Sequence, residues 1–378
     1  MSTLKTTNLQ HASAASPAFV LASDGSATAQ LSSLNGGALS GARNRIINGD
    51  MRIDQRNAGA SVTPTSDVYT LDRWIAVRSQ ASKFSVQQNT ADAPTTQGFT
   101  HCMKVTSLSA YTVTSSDYFT VNQSIEGLNI ADLAWGTASA KSVTLSFWVR
   151  SSLTGTFGGV FNNSGATRSY PFTYTISAAN TWEQKSIVVP GDTSGTWLTT
   201  NSAGVEIRFG LGVGSSQSGA AGSWSGSTFL GATGATSVVG TNGATFYLTG
   251  VQLEPGSVAT PFERRSYGQE LALCQRYYEK SYDQSVVPGT STYAGIFCAV
   301  GSNASSCGGF TWKVTKRAAP TVTLYSNDGT SGAVDKLASG TKVTGATANN
   351  IAENSFRFVG LSTTVESHMY HYTLSAEL

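Results

Sequence analysis

Asp50 and Asp54 are candidates for acid–base chemistry, because glycoside hydrolysis uses two carboxyl groups at a set separation. Residues i and i+4 of a strand share a face but lie about 13 Å apart, which is too far for a retaining pair unless the chain bends. Arg52 and Arg56 each follow one of these acids by two residues. An ion pair stabilises the ionised carboxylate, so the pattern favours a structural role over proton donation.

The other side chains that perform catalysis or bind metals show no productive spacing. The sequence has no G-x-S-x-G segment, and its histidines, at positions 11, 101, 368 and 371, suggest no triad order. His368 and His371 lie in a strand-like segment, where positions three apart point to opposite faces. The sequence therefore predicts a protein that is not an enzyme and that holds no metal ion or cofactor.

The charge balance of the chain limits its partners. Only 12% of its 378 residues are charged, and the formal net charge is +2, which produces no long-range field for nucleic acid or acidic membranes. Four arginines, at positions 43, 45, 52 and 56, cluster with two acids, and we interpret this cluster as intramolecular pairing. No apolar run is long enough to span a membrane, and residues 1–30 lack signal-peptide features, so we expect synthesis in the cytoplasm without membrane insertion.

Residues 43–265 are predicted to form an all-β domain. Within residues 143–149 the odd positions are apolar, whereas the even positions are Thr144, Ser146 and Trp148. This period of two is typical of a strand with one buried face. Several such segments, separated by turn-rich stretches, predict a jelly roll or β-sandwich.

Three further regions flank this domain. Residues 1–42 are small, polar and nearly uncharged, and they predict an extended arm or a disordered tail that does not fold alone. Residues 266–280 predict a short linking helix, because Ser266 and Gln269 match a capping box. Residues 281–378 contain five strand-like segments and predict a smaller C-terminal β-sandwich domain.

Several blocks of the sequence resemble a module of bacteriophage tail-fibre and related virion proteins. The blocks are NRIINGDMRIDQRNAG at 44–59, YTLDRW at 69–74, VQLEPGSVATPFERRSYGQELALCQRYYEKS at 251–281, KRAAPTVTLYS at 316–326 and YTLSAEL at 372–378. The resemblance implies a jelly-roll, carbohydrate-binding-like domain, a C-terminal β domain and a homotrimer. It also implies that residues 1–42 anchor the protein to the phage tail, baseplate or an adaptor protein. The protein would then be made in the host bacterial cytoplasm and located in the virion.

The same resemblance suggests a structural purpose for the charged cluster. We expect an Arg–Asp network in which Arg52 or Arg73 pairs with Asp50 or Asp72. Such a network would fix the point where the anchor ends and the domain begins. The planar guanidinium group suits this purpose because it binds carboxylates in bidentate geometry.

A low-charge surface rich in small polar residues suits the binding of host surface polysaccharide or lipopolysaccharide, because sugars stack on aromatic rings and need neutral hydrogen-bonding partners. The candidate aromatic residues are Trp224, in the long Gly- and Ser-rich stretch, and Tyr293, Trp312 and Tyr370 in the C-terminal region. Trp312 is equally a candidate for the core. The prediction is a non-enzymatic, trimeric tail fibre that binds glycan. The alternatives are a structural virion protein of the baseplate, collar or head fibre, and a polysaccharide depolymerase.

Overall fold

The computed structural model describes residues 43–301, 306–307, 309–359 and 366–378, together with residues 8–9, 19–21, 23 and 27–29. The predicted N-terminal arm therefore lies mostly outside the described residues. Its described parts are three short antiparallel strands, β1 (Asn8–Leu9), β2 (Phe19–Leu21) and β3 (Ala27–Ala29). The anchoring function of the arm stays a prediction.

Two antiparallel sheets stack to form a β-sandwich, which confirms the predicted all-β class. The first sheet contains, in spatial order, β11 (Ser169–Ile176), β10 (Gly155–Asn163), β13 (Ala203–Val213), β8 (Tyr118–Glu126), β5 (Trp74–Arg78) and β4 (Val68–Leu71). The second contains β12 (Glu183–Val189), β9 (Val143–Ser151), β16 (Thr245–Pro255), β7 (Cys102–Ser107) and β6 (Phe84–Asn89).

The strand alternation read from the sequence places the sandwich core. The odd positions of β9 are buried, and Phe147 among them meets Phe209 of the first sheet with ring centroids 5.1 Å apart. The even positions, including Trp148, lie on the outer face of the second sheet. Truncating a buried Phe of this kind costs about 3–5 kcal/mol, so the core fixes the register of β9 and with it the outward position of Trp148.

Short elements complete the sandwich. They are the parallel pair β14 (Ser218–Gly219) and β15 (Gly231–Ala232), and three 3₁₀ turns at Thr95–Gln97, Gly127–Asn129 and Ala131–Leu133. The β14–β15 pair lies in the Gly- and Ser-rich stretch, which packs against the first sheet at Gly158.

The linking helix α1 (Tyr267–Gln275) begins with the predicted capping box, in which the Ser266 side chain accepts from the Gln269 amide. The helix ends earlier than the predicted residue 280. Tyr278–Lys280 instead form strand β17, because they pair with the last long strand of the chain. Tertiary pairing thus overrides the helical periodicity at the end of this segment.

Two further sheets make up the C-terminal region. The strands after β17 are β18 (Phe297–Gly301), β19 (Ser306–Cys307), β20 (Gly309–Thr311), β21 (Thr321–Tyr325), β22 (Ala333–Lys336), β23 (Lys342–Thr344), β24 (Thr347–Asn349), β25 (Ser355–Val359) and β26 (Glu366–Ser375). Strand β26 is central and pairs with β17, β18, β21 and β22, whereas β20, β25 and β24 form a separate sheet. Among the described residues, no helix has the length and apolar character needed to cross a membrane.

Candidate functional site

A buried ionic network lies where the start of the sandwich meets the end of the chain. We call it the junction network, and it consists of Arg56, Asp72, Arg73 and Glu377. Arg73 pairs with Glu377, and Arg56 lies 2.9 Å from Glu377 and 3.7 Å from Asp72. Tyr277 stacks on the Arg73 guanidinium at 3.6 Å. Of the predicted alternatives, the pairing of Arg52 with Asp50 is present, whereas the ion-pair partner of Arg73 is Glu377, just beyond β26.

Asp50 and Asp54, the acids first considered for catalysis, both have structural partners. Asp50 forms the predicted ion pair with Arg52, and Arg52 also donates to the carbonyl of Arg265 at 3.0 Å. Asp54 accepts the backbone N–H groups of Asn57 at 2.9 Å and of Gly59 at 2.8 Å, which holds a turn. Both side chains are buried.

Burial shapes the electrostatics of the junction network. It raises the pKa of Asp72 to about 6, and the opposing effects of Arg56 and of the Gln55 hydrogen bonds only partly offset this rise. The Asp72 carboxylate accepts a hydrogen bond from the backbone N–H of Gln55 at 2.9 Å. The network joins the first strands of the sandwich to the segment after β26, and its centre is closed to solvent, since Arg73 is 1% exposed and Asp72 is fully buried.

The predicted aromatic residues do not form one site. Trp312 and Tyr370 are 7% and 0% exposed in the C-terminal core, where Trp312 stacks on Phe356, so their predicted role in glycan binding is wrong. Trp224 packs against two other tryptophans and donates to the carbonyl of Pro190 at 2.7 Å, so its ring is engaged by the protein. Tyr293 is 66% exposed, and its role stays a prediction.

A cleft on the outer face of the second sheet has the composition that sugar binding requires. We call it the outer cleft, and it consists of two adjoining depressions that share Gln97. The first, of about 520 Å³, is lined by Gln97, Phe99, Ser146, Trp148, Gln184, Gly250, Ala259–Phe262 and Arg264. The second, of about 440 Å³, is lined by Ala91–Gln97, Arg150, Thr181 and Trp182. Each volume lies in the usual range of small-molecule sites.

Strand register places the polar and aromatic side chains of the first depression. Trp148 of β9 lies in register between Gln184 of β12 and Thr249 of β16. Ser146, two positions earlier on the same strand, shares the outer face with Trp148. A partly exposed indole is thus flanked by an amide and a hydroxyl on rigid strands.

The hydrogen-bonding groups around Trp148 are free to bind a ligand. Within the described part of the chain, Trp148 Nε1, the Gln184 side-chain amide and Ser146 Oγ take part in no hydrogen bond, and all three side chains line the first depression, although Ser146 as a residue is only 3% exposed. Among the described residues that line this first depression there is no acidic side chain. The arrangement can stack a sugar ring and bind its hydroxyl groups with neutral partners, but it offers no acid or base for chemistry.

A layer of aromatic rings supports one wall of the first depression. Phe99 and Phe262 meet edge to face at 5.2 Å, and the Arg264 guanidinium lies over Phe99 at 4.6 Å. Gly250, with φ of +59°, allows this packing, since a Cβ at that position would lie 2.6 Å from Phe99 and 3.1 Å from Trp148. The β16 irregularity between Thr249 and Gln252 contains Gly250, so a bulge shapes the floor of the cleft.

The second depression carries paired charges. Asp92 lies 3.2 Å from Arg150 and 3.6 Å from Lys104, and its carbonyl accepts from Trp182 Nε1 at 2.9 Å. Tyr247 lies beneath, with the Arg150 guanidinium 4.9 Å from the ring centroid. Two cations therefore share one carboxylate at this end of the outer cleft.

Sequence reasoning missed Trp148 and Trp182 as candidate binding residues, although the signal for Trp148 was present. Trp148 occupies the polar register of an amphipathic strand, where a large aromatic side chain must face outward. Trp182 has no comparable signal, because its place in the cleft depends on the loop that carries Asp92.

Comparisons with known proteins give only distant likenesses. An enzymatically active domain of tailspike protein 4 of bacteriophage CBA120 is 14% identical over 56% of this chain and 21% of that chain, with a TM-score of 0.31, so this chain spans about a fifth of its length. A family 11 carbohydrate-binding module from Clostridium thermocellum, in complex with a mixed-linked tetrasaccharide, is 12% identical over 53% and 98% of the two chains (TM-score 0.26). A putative sugar binding protein from Bacteroides thetaiotaomicron is 10% identical over 56% and 99% (TM-score 0.30). No protein-family profile and no curated protein sequence matches this chain.

Proposed function

We propose that this protein is a non-catalytic glycan-binding protein whose outer cleft holds an oligosaccharide. The observation that carries the proposal is the set of unpaired donors and acceptors around Trp148, namely its own Nε1, the Gln184 amide and Ser146 Oγ. A sugar ring stacked on the indole would bring its hydroxyl groups to these neutral partners. Because the three side chains lie on paired strands, little ordering is needed on binding.

The carboxylates near the cleft support binding rather than hydrolysis. Among the described residues lining the two depressions, Asp92 is the single acid, and Lys104 and Arg150 both lie within ion-pair distance of it. Hydrolysis of a glycosidic bond ordinarily needs a second carboxyl group at a set distance. Asp50 and Asp54 do not line either depression.

The biological setting that we propose rests on the sequence resemblance. In this setting the protein is a homotrimeric tail fibre of a bacteriophage, located in the virion. Residues 1–42 would anchor it to the tail, and the outer cleft would bind polysaccharide or lipopolysaccharide of the host surface. The unpaired donors of the outer cleft favour this reading over a structural virion protein, which has no need of a ligand site.

The test is size-exclusion chromatography of host surface polysaccharide with the full chain. We expect the protein to co-elute with polymer of unchanged length, and Trp148→Ala to abolish co-elution. Tyr267→Ala is the matched control, because this tyrosine is 46% exposed and lies outside the cleft. Shortening of the polymer would replace the proposal with a depolymerase.

Two further outcomes locate the site or overturn the proposal. Loss of co-elution with Tyr293→Ala but not with Trp148→Ala would move the site to the C-terminal sheets. If host polysaccharide never co-elutes and the free protein does not block phage adsorption, the structural virion protein becomes the better description.

A further inference from the structure

The outer cleft holds a fixed cation that has no acidic partner. Arg264 is exposed at the wall of the first depression, and within the described residues it forms no ion pair. Its Nη1 donates to the carbonyl of Gly98 at 2.7 Å, and its Nη2 donates to that of Gln97 at 2.9 Å. An exposed arginine ordinarily samples many rotamers, whereas this one is held in place by two carbonyls and two aromatic rings.

The backbone is shaped to let Arg264 approach. Gly98 has φ of +78°, and a Cβ at this position would lie 2.9 Å from Arg264 Nη2. A residue with a side chain would therefore strain the backbone and push the guanidinium away. The fold positions this charge without neutralising it.

The charges around Arg264 leave the first depression positive. Two glutamates close in sequence, Glu254 and Glu263, have other partners. Glu254 is 2% exposed, and it accepts from Thr260 N at 2.8 Å, Thr260 Oγ1 at 2.6 Å and Gln252 at 2.9 Å. Glu263 accepts from the backbone of Asn44 at 2.7 Å and pairs with Arg265. Neither Glu254 nor Glu263 is among the side chains that line this depression.

The lining of the second depression holds one cation, Arg150, and one acid, Asp92, and Lys104, outside that lining, also pairs with Asp92. Cations therefore stand at both ends of the outer cleft, with neutral hydrogen-bonding groups and Trp148 between them. A neutral glycan would leave these charges unused. A glycan with a repeating anionic substituent would match both the charged ends and the neutral middle.

We infer that the ligand of the outer cleft is an anionic glycan, one whose carboxylate or phosphate groups pair with Arg264. The inference rests on the proposed function, since it names the class of glycan that the same site takes. Guanidinium binds carboxylate and phosphate alike in bidentate geometry, so the structure identifies the anion but not its source.

The experiment uses pairs of polymers that differ only in charge. Polygalacturonate is compared with its methyl ester, and a phosphomannan with the dephosphorylated mannan, by affinity electrophoresis of the full chain at low and high salt. We expect the wild type to prefer one charged polymer over its neutral partner by roughly tenfold at low salt, which is typical of a charge-assisted hydrogen bond. The preference should shrink at high salt. A preference within the polygalacturonate pair would identify carboxylate as the bound group, and a preference within the phosphomannan pair would identify phosphate.

Two variants assign the preference to the cleft. Arg264→Met keeps the apolar stem but removes the charge, so it should make the affinities for the charged and the neutral polymer equal. Lys141→Met removes the same charge from an exposed position that does not line the cleft, and it should change nothing.

The outcomes separate this inference from the proposed function. Equal binding of charged and neutral polymers that still requires Trp148 would overturn the inference and leave the proposed function standing. A preference for charge that survives Arg264→Met would also overturn it. Failure to bind any of the four polymers or the host polysaccharide would reject both.

Discussion

The junction network and the outer cleft are two polar regions built on opposite principles. In the junction network Asp72 and Arg73 are buried, and they pair with Arg56 and Glu377, whose side chains are 13% and 7% exposed. In the first depression of the outer cleft Trp148 Nε1 and the Gln184 amide are neutral, open to solvent and unpaired among the described residues. A dense charge cluster attracts attention in a sequence, yet here Arg52, Arg56 and Arg73 each have a carboxylate partner within the protein. The region suited to a ligand is the one whose side chains lack partners.

The largest expected effect tests whether the junction network is purely structural. Arg73→Met leaves the buried carboxylate of Glu377 with Arg56 as its remaining cation, and we expect a loss of about 3–5 kcal/mol in the free energy of unfolding. Urea titration measures this loss. Asp132→Asn is the control, because its ion pair with Arg45 is 48% exposed on the acidic side and should contribute less than about 1 kcal/mol.

Arg73→Met should also leave glycan binding by the folded protein unchanged, because Arg73 does not line the outer cleft. If Arg73→Met and Asp132→Asn lower the free energy of unfolding equally, the burial of the junction network adds no stability. If Arg73→Met weakens glycan binding in the folded state, the contrast between the two regions fails.

The two regions differ in how far they could be predicted from the sequence. The register of β9 follows from its alternation, because only one face of that strand can be apolar. The partner of Arg73 does not follow, because Glu377 lies 304 positions away and reaches it only through the pairing of β26 with β17. Local periodicity predicts faces of strands, whereas the choice among several acids depends on tertiary approach.

The aromatic residues also depend on tertiary contacts that the sequence does not show. The exposure of Trp312 was undecided from the sequence. In the structure the residue directly follows β20 and packs against Phe356 of β25 and Tyr372 of β26. Trp148 was predictable in position, but its function depends on Gln184 of a neighbouring strand. The all-β class was therefore predictable from the sequence, while the membership of the site was not.

The second prediction uses pH to probe the junction network. Burial raises the pKa of Asp72 from 3.8 to about 6. An acid whose pKa is raised in the folded state contributes stability that is present below its unfolded pKa of 3.8 and is lost as the pH rises through about 6. We compare the wild type with Asp72→Asn by urea titration between pH 4 and 7. The wild type should lose up to about 3 kcal/mol relative to the variant across this window.

The buried acids Asp54 and Glu270 also have a raised pKa, because burial penalises their charged forms. Both acids are present in the wild type and in the variant, so their contributions cancel in the difference between the two stability curves. Parallel stability curves for the wild type and Asp72→Asn would show that Arg56 and Gln55 keep Asp72 ionised throughout the window.

The third prediction concerns the floor of the outer cleft. In Gly250→Ala the new Cβ meets Phe99 at 2.6 Å, so the ring must move away from Trp148. We expect a stability loss of about 1–3 kcal/mol and a roughly fivefold weaker affinity for glycan, measured by affinity electrophoresis. Gly234→Ala is the matched control, because Gly234 also has positive φ, at +78°, but has open space around it.

Gly234→Ala should show the cost of backbone strain alone, about 1 kcal/mol, with unchanged binding. Equal affinities of the two glycine variants would mean that the Phe99 wall takes no part in binding.

The smallest expected effect concerns Asp50 and Arg52, which lie between the junction network and the outer cleft. Arg52 joins Asp50 to the carbonyl of Arg265, the residue after the cleft cation Arg264. Asp50→Ala should lower the free energy of unfolding by about 1 kcal/mol, because Arg52 is 21% exposed and water replaces much of the lost interaction. Thermal melting measures the change, and an unaltered melting temperature would show that the pair has no structural role. A loss as large as that of Arg73→Met would instead place Asp50 within the buried network, since only an ion pair that water cannot replace contributes so much.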